Sequence, residues 1–272
     1  MTNNKIDKKE SIKSLVYMAV ESYAEGFQAR HEGEVDNPKG TLNMKIHNVF
    51  IASLGPEIQY YTALVRSFDS SLGNMLEKLA INIAGLSYEV KRRVEGPLSV
   101  KQTRDIAELL EKYKRREITP PTIENYQFLR IKPEDKTLKT KRHESDYYLI
   151  DKETSSSHLI ELKIGGDLDN KKARSEKEAL LEQLAILSNA LPKDEVIKLH
   201  FATAYNRYGE DQKWKQERVR QFFADDELLI GKDFWNFVCK SKDGYEIVLN
   251  AYKEKAGLIR KCLESIKKTY LN

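Results

Sequence analysis

Cysteine is nearly absent: Cys239 and Cys262 are the only two in 272 residues, too few for a disulfide scaffold or a cysteine-based zinc site. Apolar residues never run together for the ~20 positions that a membrane-spanning helix needs. The first ten residues, Met1 to Glu10, are polar and lack the apolar stretch of a secretory signal, so a reducing cytoplasm is the expected address. Neither a GxGxxG run nor a phosphate-binding P-loop is present. His31, His47, His143, His158 and His200 fall at no HExxH or paired metal spacing. Cys–His catalysis has no supporting pattern either, and there is no internal repeat or low-complexity tract. Any chemistry must therefore rest on carboxylates, lysines and arginines.

What remains is a soluble globular balance, 40% hydrophobic and 32% charged, in a chain long enough to bury a core without staples. Lys and Arg outnumber Asp and Glu by 46 to 42, a net charge of +4 with a pI near 8.7. That permits a polyanionic partner without demanding one, so the distribution of charge matters more than its sum. The first half reads as helix. Residues 11–32 place Ile12, Leu15, Val16, Ala19, Val20 and Tyr23 on one stripe. Further helices are expected over 42–53, from Gly55-Pro56 to Phe68, over 72–86 with Ser70 or Ser71 as cap, and over 103–116 before Pro120 and Pro121. The period then changes to strand-like types at 126–131, 146–150 and 158–164. Between the first two, Arg130 to His143 holds six Lys or Arg against two acids and reads as a charged loop. A helix over 170–190, a strand over 196–205, and helices over 211–223, 232–240 and 245–270 complete the pattern. The expected fold class is α/β, a mixed sheet flanked by helices, with a helical N-terminal region and a helical C-terminal tail.

The sharpest local signal is Asp146, then fourteen intervening residues, then Glu161-Leu162-Lys163. If 146–151 and 158–163 form a hairpin through 152–157, its centre falls between Glu153 and Thr154, and Asp146 lies opposite Glu161. Side chains alternate along a strand, so Leu159, Glu161 and Lys163 share a face while Ile160, Leu162 and Ile164 take the other. Two carboxylates and an amine then converge. Asp146 and Glu161, with the Leu162 carbonyl joining, suit Mg2+ as hard oxygen ligands, and a bound cation acidifies water and polarises a phosphodiester. Lys163 can position or deprotonate the attacking water, or neutralise charge developing on the phosphate. A surface ion-pair ladder on a hairpin is the plain alternative. Glu77 shares a helical stripe with Gly73, Ala80, Ile81 and Ala84. A carboxylate there needs a partner if buried, either this metal site or Lys163; otherwise it sits at the helix edge with Lys78 or solvent.

Gly165 and Gly166 follow the lysine and permit a sharp turn or close approach. The next helix opens with Lys171, Lys172 and Arg174 at its amide-bearing end, where phosphate is favoured. A further basic run holds Asn206, Arg207, Lys213, Lys215, Arg218 and Arg220, with Tyr205, Tyr208 and Trp214 among them. Each run alone describes a solvated face; together, around one acidic cluster, they suit DNA, with phosphates and guanine edges as the acceptors. His143 lies near Asp146 and can reach the same substrate.

At Asp146 and Glu161-Leu162-Lys163 the chain resembles the PD-(D/E)xK nuclease superfamily, with Ser145 in place of the proline that often precedes the first acid. Longer stretches, residues 47–80, RHESDYYLID (142–151), ELKIGGDLDNKKARSEKEALLEQ (161–183) and 201–223, resemble the TdeIII family of type II restriction endonucleases, a likeness that runs from about residue 40 onward. It implies a Mg2+-dependent homodimer that cuts double-stranded DNA at a short palindrome, GGNCC being the associated target, within a restriction–modification system whose methyltransferase acts on the same site without direct contact. By this resemblance Asp146 and Glu161 are metal ligands, Lys163 is the catalytic lysine, and Glu77 matches an additional helix glutamate, with Gln183 a weaker addition. The expected organisation is a helical region over 1–68 and a nuclease core with helical tail over 69–272, as one continuous domain. Two alternatives stand beside it: a structure-specific repair or recombination nuclease of the same fold, and a non-catalytic DNA-binding protein whose carboxylates form only ion pairs.

Overall fold

Proline, glycine and hydroxyl side chains decide where the helices of the first third begin and end. The computed structural model describes residues 2–131 and 138–271. α1 (Thr2–Gly33) is followed by a 3-10 turn, Asn43–His47, a single helical turn α2 (Val49–Ala52), and α3 (Pro56–Ala84). Where one helix was expected over 42–53, Asn48 interrupts: its side chain caps α2 by accepting from the Ile51 N–H. Where two helices were expected between Pro56 and Leu86, there is one. Ser71 does not cap a new helix; its hydroxyl bonds back to the Ser67 carbonyl at 2.8 Å, and the helix absorbs it.

The chain continues through β1 (Tyr88–Ser99), α4 (Val100–Lys114), a 3-10 helix Ile123–Arg130, β2 (Leu138–Asp151), β3 (Ser157–Leu162) and α5 (Asn170–Ala190). Then come β4 (Ile197–Thr203), the short α6 (Glu217–Arg220), β5 (Leu228–Ile230), α7 (Lys232–Cys239) and α8 (Gly244–Leu271). Three expectations are corrected. Residues 126–131 are not a strand: Tyr126 and Leu129, both buried, follow the three-residue repeat of a 3-10 helix, opened by Asn125 accepting from the Thr122 N–H at 2.8 Å. Residues 211–216 are not helical; Trp214 and Gln216 are buried while Lys213 and Lys215 are exposed, the alternation of extended chain. The charged segment 130–143 is not all loop, because residues 138–143 belong to β2; residues 132–137 of it lie outside the described ones.

By its contacts the chain divides into two units, residues 83–245 and residues 1–82 with 246–272. In the first, a five-stranded sheet runs in the order β1-β2-β3-β4-β5. β1, β2 and β3 pair antiparallel, while β3, β4 and β5 pair parallel, so the sheet is mixed. α5 is the crossover that lets β3 and β4 run parallel. On one face, Leu159, Leu199 and Phe201 pack with Leu181, Leu184 and Ala185 of α5 and Leu110 of α4. On the other, Tyr147 meets Phe234, and Tyr88 and His158 meet Phe237, all from α7. In the second unit, α1 buries Ile12, Val16, Val20, Ala24 and Phe27. It is tied to α8 by Lys255–Glu21 at 2.6 Å and by the Tyr270 hydroxyl donating to the His31 carbonyl at 2.8 Å. Among the described residues no helix is long and apolar enough to cross a membrane.

Under α7, His158 and His200 stack with ring centroids 5.3 Å apart, and Nδ1 of the first lies 3.1 Å from Nε2 of the second. Burial first, then neighbouring positive charge, pushes His158 down to about 4 and His200 to about 3. Both folded values lie below the unfolded 6.5, so the unfolded chain protonates first. The contribution is complete above pH 6.5 and is lost as pH falls toward these values. Unfolding in urea should show a loss of about 2–3 kcal/mol per ring between pH 6.5 and about 4.5, and much less in the variant His158→Asn/His200→Asn. Equal pH dependence in the two proteins would refute the assignment.

Candidate active site

The site is built by the β2–β3 hairpin. Tyr147 pairs with Ile160, Leu149 with His158 and Ile150 with Ser157, so the same register continued by one residue sets Asp146 opposite Glu161. Asp146 Oδ2 accepts from the Leu162 N–H at 3.0 Å, which closes the open end of the ladder with a side chain. Glu161 has the parity of Leu159, whose side chain packs under α5, and Lys163 follows on that face. Past the end of β3 the Lys163 N–H still donates to the Ala202 carbonyl at 3.0 Å, so the lysine starts from backbone fixed to β4. The chain then turns at Gly166, where φ is +63° and a Cβ would come within 2.6 Å of Thr203 Cγ2. Only glycine fits both demands.

The charges are tightly grouped. Lys163 Nζ lies 2.5 Å from Glu161 Oε1 and 3.0 Å from Glu176 Oε1. Glu161 is only 9% exposed. Burial, then the neighbouring charge of Asp146, raises its carboxyl well above the ordinary range, with Lys163 opposing. Burial works against the Lys163 ammonium, but Glu161 and then Glu176 outweigh it and hold the amine above its usual value. The lysine is thus held as a cation between the side chains of Glu161 and Glu176. Asp146 and Glu161 are the oxygen donors that could hold a cation here. No group of three or more His, Cys, Asp and Glu is arranged to hold a metal among the described residues.

Glu176 is the residue that sequence reasoning missed. It stands on α5 between Ala173 and Leu180, both buried in the sheet core, and that spacing, seven residues with 176 on the inner edge, is the signal that could have found it. Glu182, one turn and a half further along α5, takes Lys141 at 2.6 Å and His143 Nε2 at 2.9 Å. His143 is thereby held by a carboxylate. Gln183 is buried, with its Oε1 unpartnered among the described residues. Glu77 is half-buried on α3, in the helical unit.

The basic candidates divide. Lys171 and Lys172 are exposed in the first turn of α5, which Asp169 caps by accepting from the Lys172 N–H. Arg174 pairs with Glu178 at 3.2 Å and Arg207 with Asp167 at 2.8 Å. Asn206 is buried and shapes its own loop, donating to the Gln212 carbonyl at 2.7 Å and accepting from the Tyr208 N–H. Its geometry is that of a loop brace. Lys213 and Lys215 are exposed, and Arg220 pairs with Asp225 at 2.9 Å.

Against known families, the model of the type II restriction endonuclease HinfI matches residues 6–256, nearly the whole chain. No curated protein and no solved structure matches.

Proposed function

Because the chain belongs to the HinfI family of type II restriction endonucleases, and so is a hydrolase that cuts DNA at specific sites, we propose that Asp146, Glu161 and Lys163 are its catalytic centre and Mg2+ its cofactor. The observation that supports this most is the convergence of Glu161 and Glu176 on Lys163 Nζ, with Asp146 across the hairpin. Asp146, Glu161 and the Leu162 carbonyl would hold the ion. When bound, it supplies Lewis acidity toward the scissile phosphate and a more acidic water. Lys163, already paired as an ammonium, serves as a charged donor to the phosphate and its attacking water, the preorganised role that charge development rewards. Glu176 acts on Lys163 and is a positioning residue. For Glu77 the additional-carboxylate role rests on the PD-(D/E)xK resemblance alone.

The reading extends to a homodimer, since a palindromic target mirrors a two-fold axis, and to a cytoplasmic restriction–modification system with a methyltransferase for the same sequence. Lys171, Lys172, Lys213 and Lys215 are the exposed cations available for phosphate contact. Arg174, Arg207 and Asn206 need their present partners displaced first. GGNCC follows from the TdeIII resemblance. Plasmid digestion with and without Mg2+, followed by run-off sequencing of the ends, tests the whole. Discrete fragments that end at one palindrome, only with the metal, are expected. A smear, or preference for branched DNA, would replace site recognition with structure recognition, and discrete ends at another sequence would remove GGNCC alone.

A further inference from the structure

The helical unit holds a cavity of about 460 Å³ whose lining includes Arg30, Lys45, Arg66 and several hydroxyl or amide side chains, among them Ser67, Ser70 and Asn74, and no carboxylate. The three cations come from separate elements, α1, the 3-10 turn at Asn43–His47, and α3. Among the described residues none of them forms an ion pair. That sets them apart from Arg174 and Arg207, which carboxylates already neutralise.

The charge is held in place by neutral groups. Arg30 Nη2 donates to Ser67 Oγ at 2.9 Å and lies 3.0 Å from His31 Nε2, and its guanidinium sits 5.2 Å from the Phe27 ring centre. Glu34 is the nearest acid to this set: its Oε2 accepts from the N–H of Thr41, a lining residue, at 2.6 Å, and Arg30 is among the charges that hold its carboxyl low, but it forms no ion pair with Arg30. A fixed arginine, two more cations and a ring of small donors, with no carboxylate in the lining itself, match the side-chain set that contacts phosphate oxygens.

We propose that this cleft of the helical unit is a phosphate-binding site that grips the backbone of the duplex substrate, independent of its sequence. The proposal rests on the reading of the chain as a DNA-cleaving enzyme. A free phosphate ion offers the same oxygens, so the two sources must be separated by experiment.

The full-length protein and the variant Lys45→Gln/Arg66→Gln are compared for binding to short fluorescent duplexes, in chelator, over a range of salt. Among the described residues neither replaced side chain has a hydrogen-bond or ion-pair partner, so melting temperature should not change. Each phosphate contact adds about 0.9 to the slope of log affinity against log salt. The variant should therefore show a slope shallower by about 1 to 2, with equal weakening on duplexes that carry or lack the cleavage site. An unchanged slope and affinity, in a protein that still binds and cuts DNA, overturns the proposal and leaves the active site untouched. Thermal stabilisation of the parent by inorganic phosphate, absent in the variant and with the DNA slope unchanged, overturns it in favour of a small-anion site. Failure of the parent to bind any duplex removes the functional reading itself.

Discussion

Replacing Lys163 with alanine is expected to lower DNA cleavage by at least about 10²–10³-fold, the usual cost of removing one preorganised donor to developing charge, while binding of a duplex that carries the site persists. The argument is geometric. Lys163 Nζ is held by Glu161 at 2.5 Å and Glu176 at 3.0 Å, on backbone pinned to β4, so its charge is fixed in place before substrate arrives. Two companions separate chemistry from folding. Glu176→Gln keeps a hydrogen-bond acceptor near the lysine but removes a charge, so a smaller loss is expected, together with a shifted pH profile. Glu161→Gln removes an ion ligand and should be rescued by no concentration of Mg2+. Single-turnover cleavage and anisotropy on the same duplex give both readouts. A Lys163→Ala protein that cuts at the parental rate, or that loses binding while still cutting, would end the assignment.

Lys177→Met is expected to destabilise the sheet unit by about 3–5 kcal/mol, the cost of breaking a buried ion pair from one side. Lys177 is fully buried and bonds to Glu227, which is buried as well. The Glu227 carboxylate also accepts from the Tyr126 hydroxyl at 2.8 Å and the Ala224 N–H at 2.7 Å. The ammonium lies over the Tyr126 and Phe223 rings, 4.6 and 5.0 Å from their centres. Methionine fills the stem's volume but leaves the carboxylate without its cation. The double variant Lys177→Met/Glu227→Gln should recover most of the loss, because the pair's own worth is small against the penalty of an orphaned charge. Urea unfolding of the three proteins measures the difference. A single variant within about 1 kcal/mol of the parent would show that Glu227 tolerates isolation, contrary to the usual cost of buried unpaired charge.

Legibility in the sequence followed the range of each interaction. The hairpin was readable because its register is set locally: a short turn between two alternating strands admits few pairings, and the one that centres between Glu153 and Thr154 is the one found. β1 escaped notice. Its outward residues, Glu89, Lys91, Arg92 and Arg93, hide the alternation, and Gly96 and Pro97 argue against a strand unless it lies at an edge, as β1 does. Gly96 is there because α5 passes close: a Cβ would meet Ile186 Cγ2 at 2.9 Å. Glu176 was hidden for a different reason. It reads as one more charge on a charged helix, and only the packing of α5 across the sheet turns it toward Lys163. The basic runs were visible as composition, and the Arg174–Glu178 pair follows the four-residue spacing of a helix, but the pairing of Arg207 with Asp167 depends on tertiary placement that no spacing rule supplies.

The helical unit takes its parts from both sides of the sheet unit's sequence. During synthesis, all five strands and their crossover helix are made before α8 exists to complete the partner set of α1. Until then Glu21 and the His31 carbonyl lack Lys255 and Tyr270. A nascent chain of this protein therefore has every strand of its sheet unit before it has α8, the helix that completes the other unit.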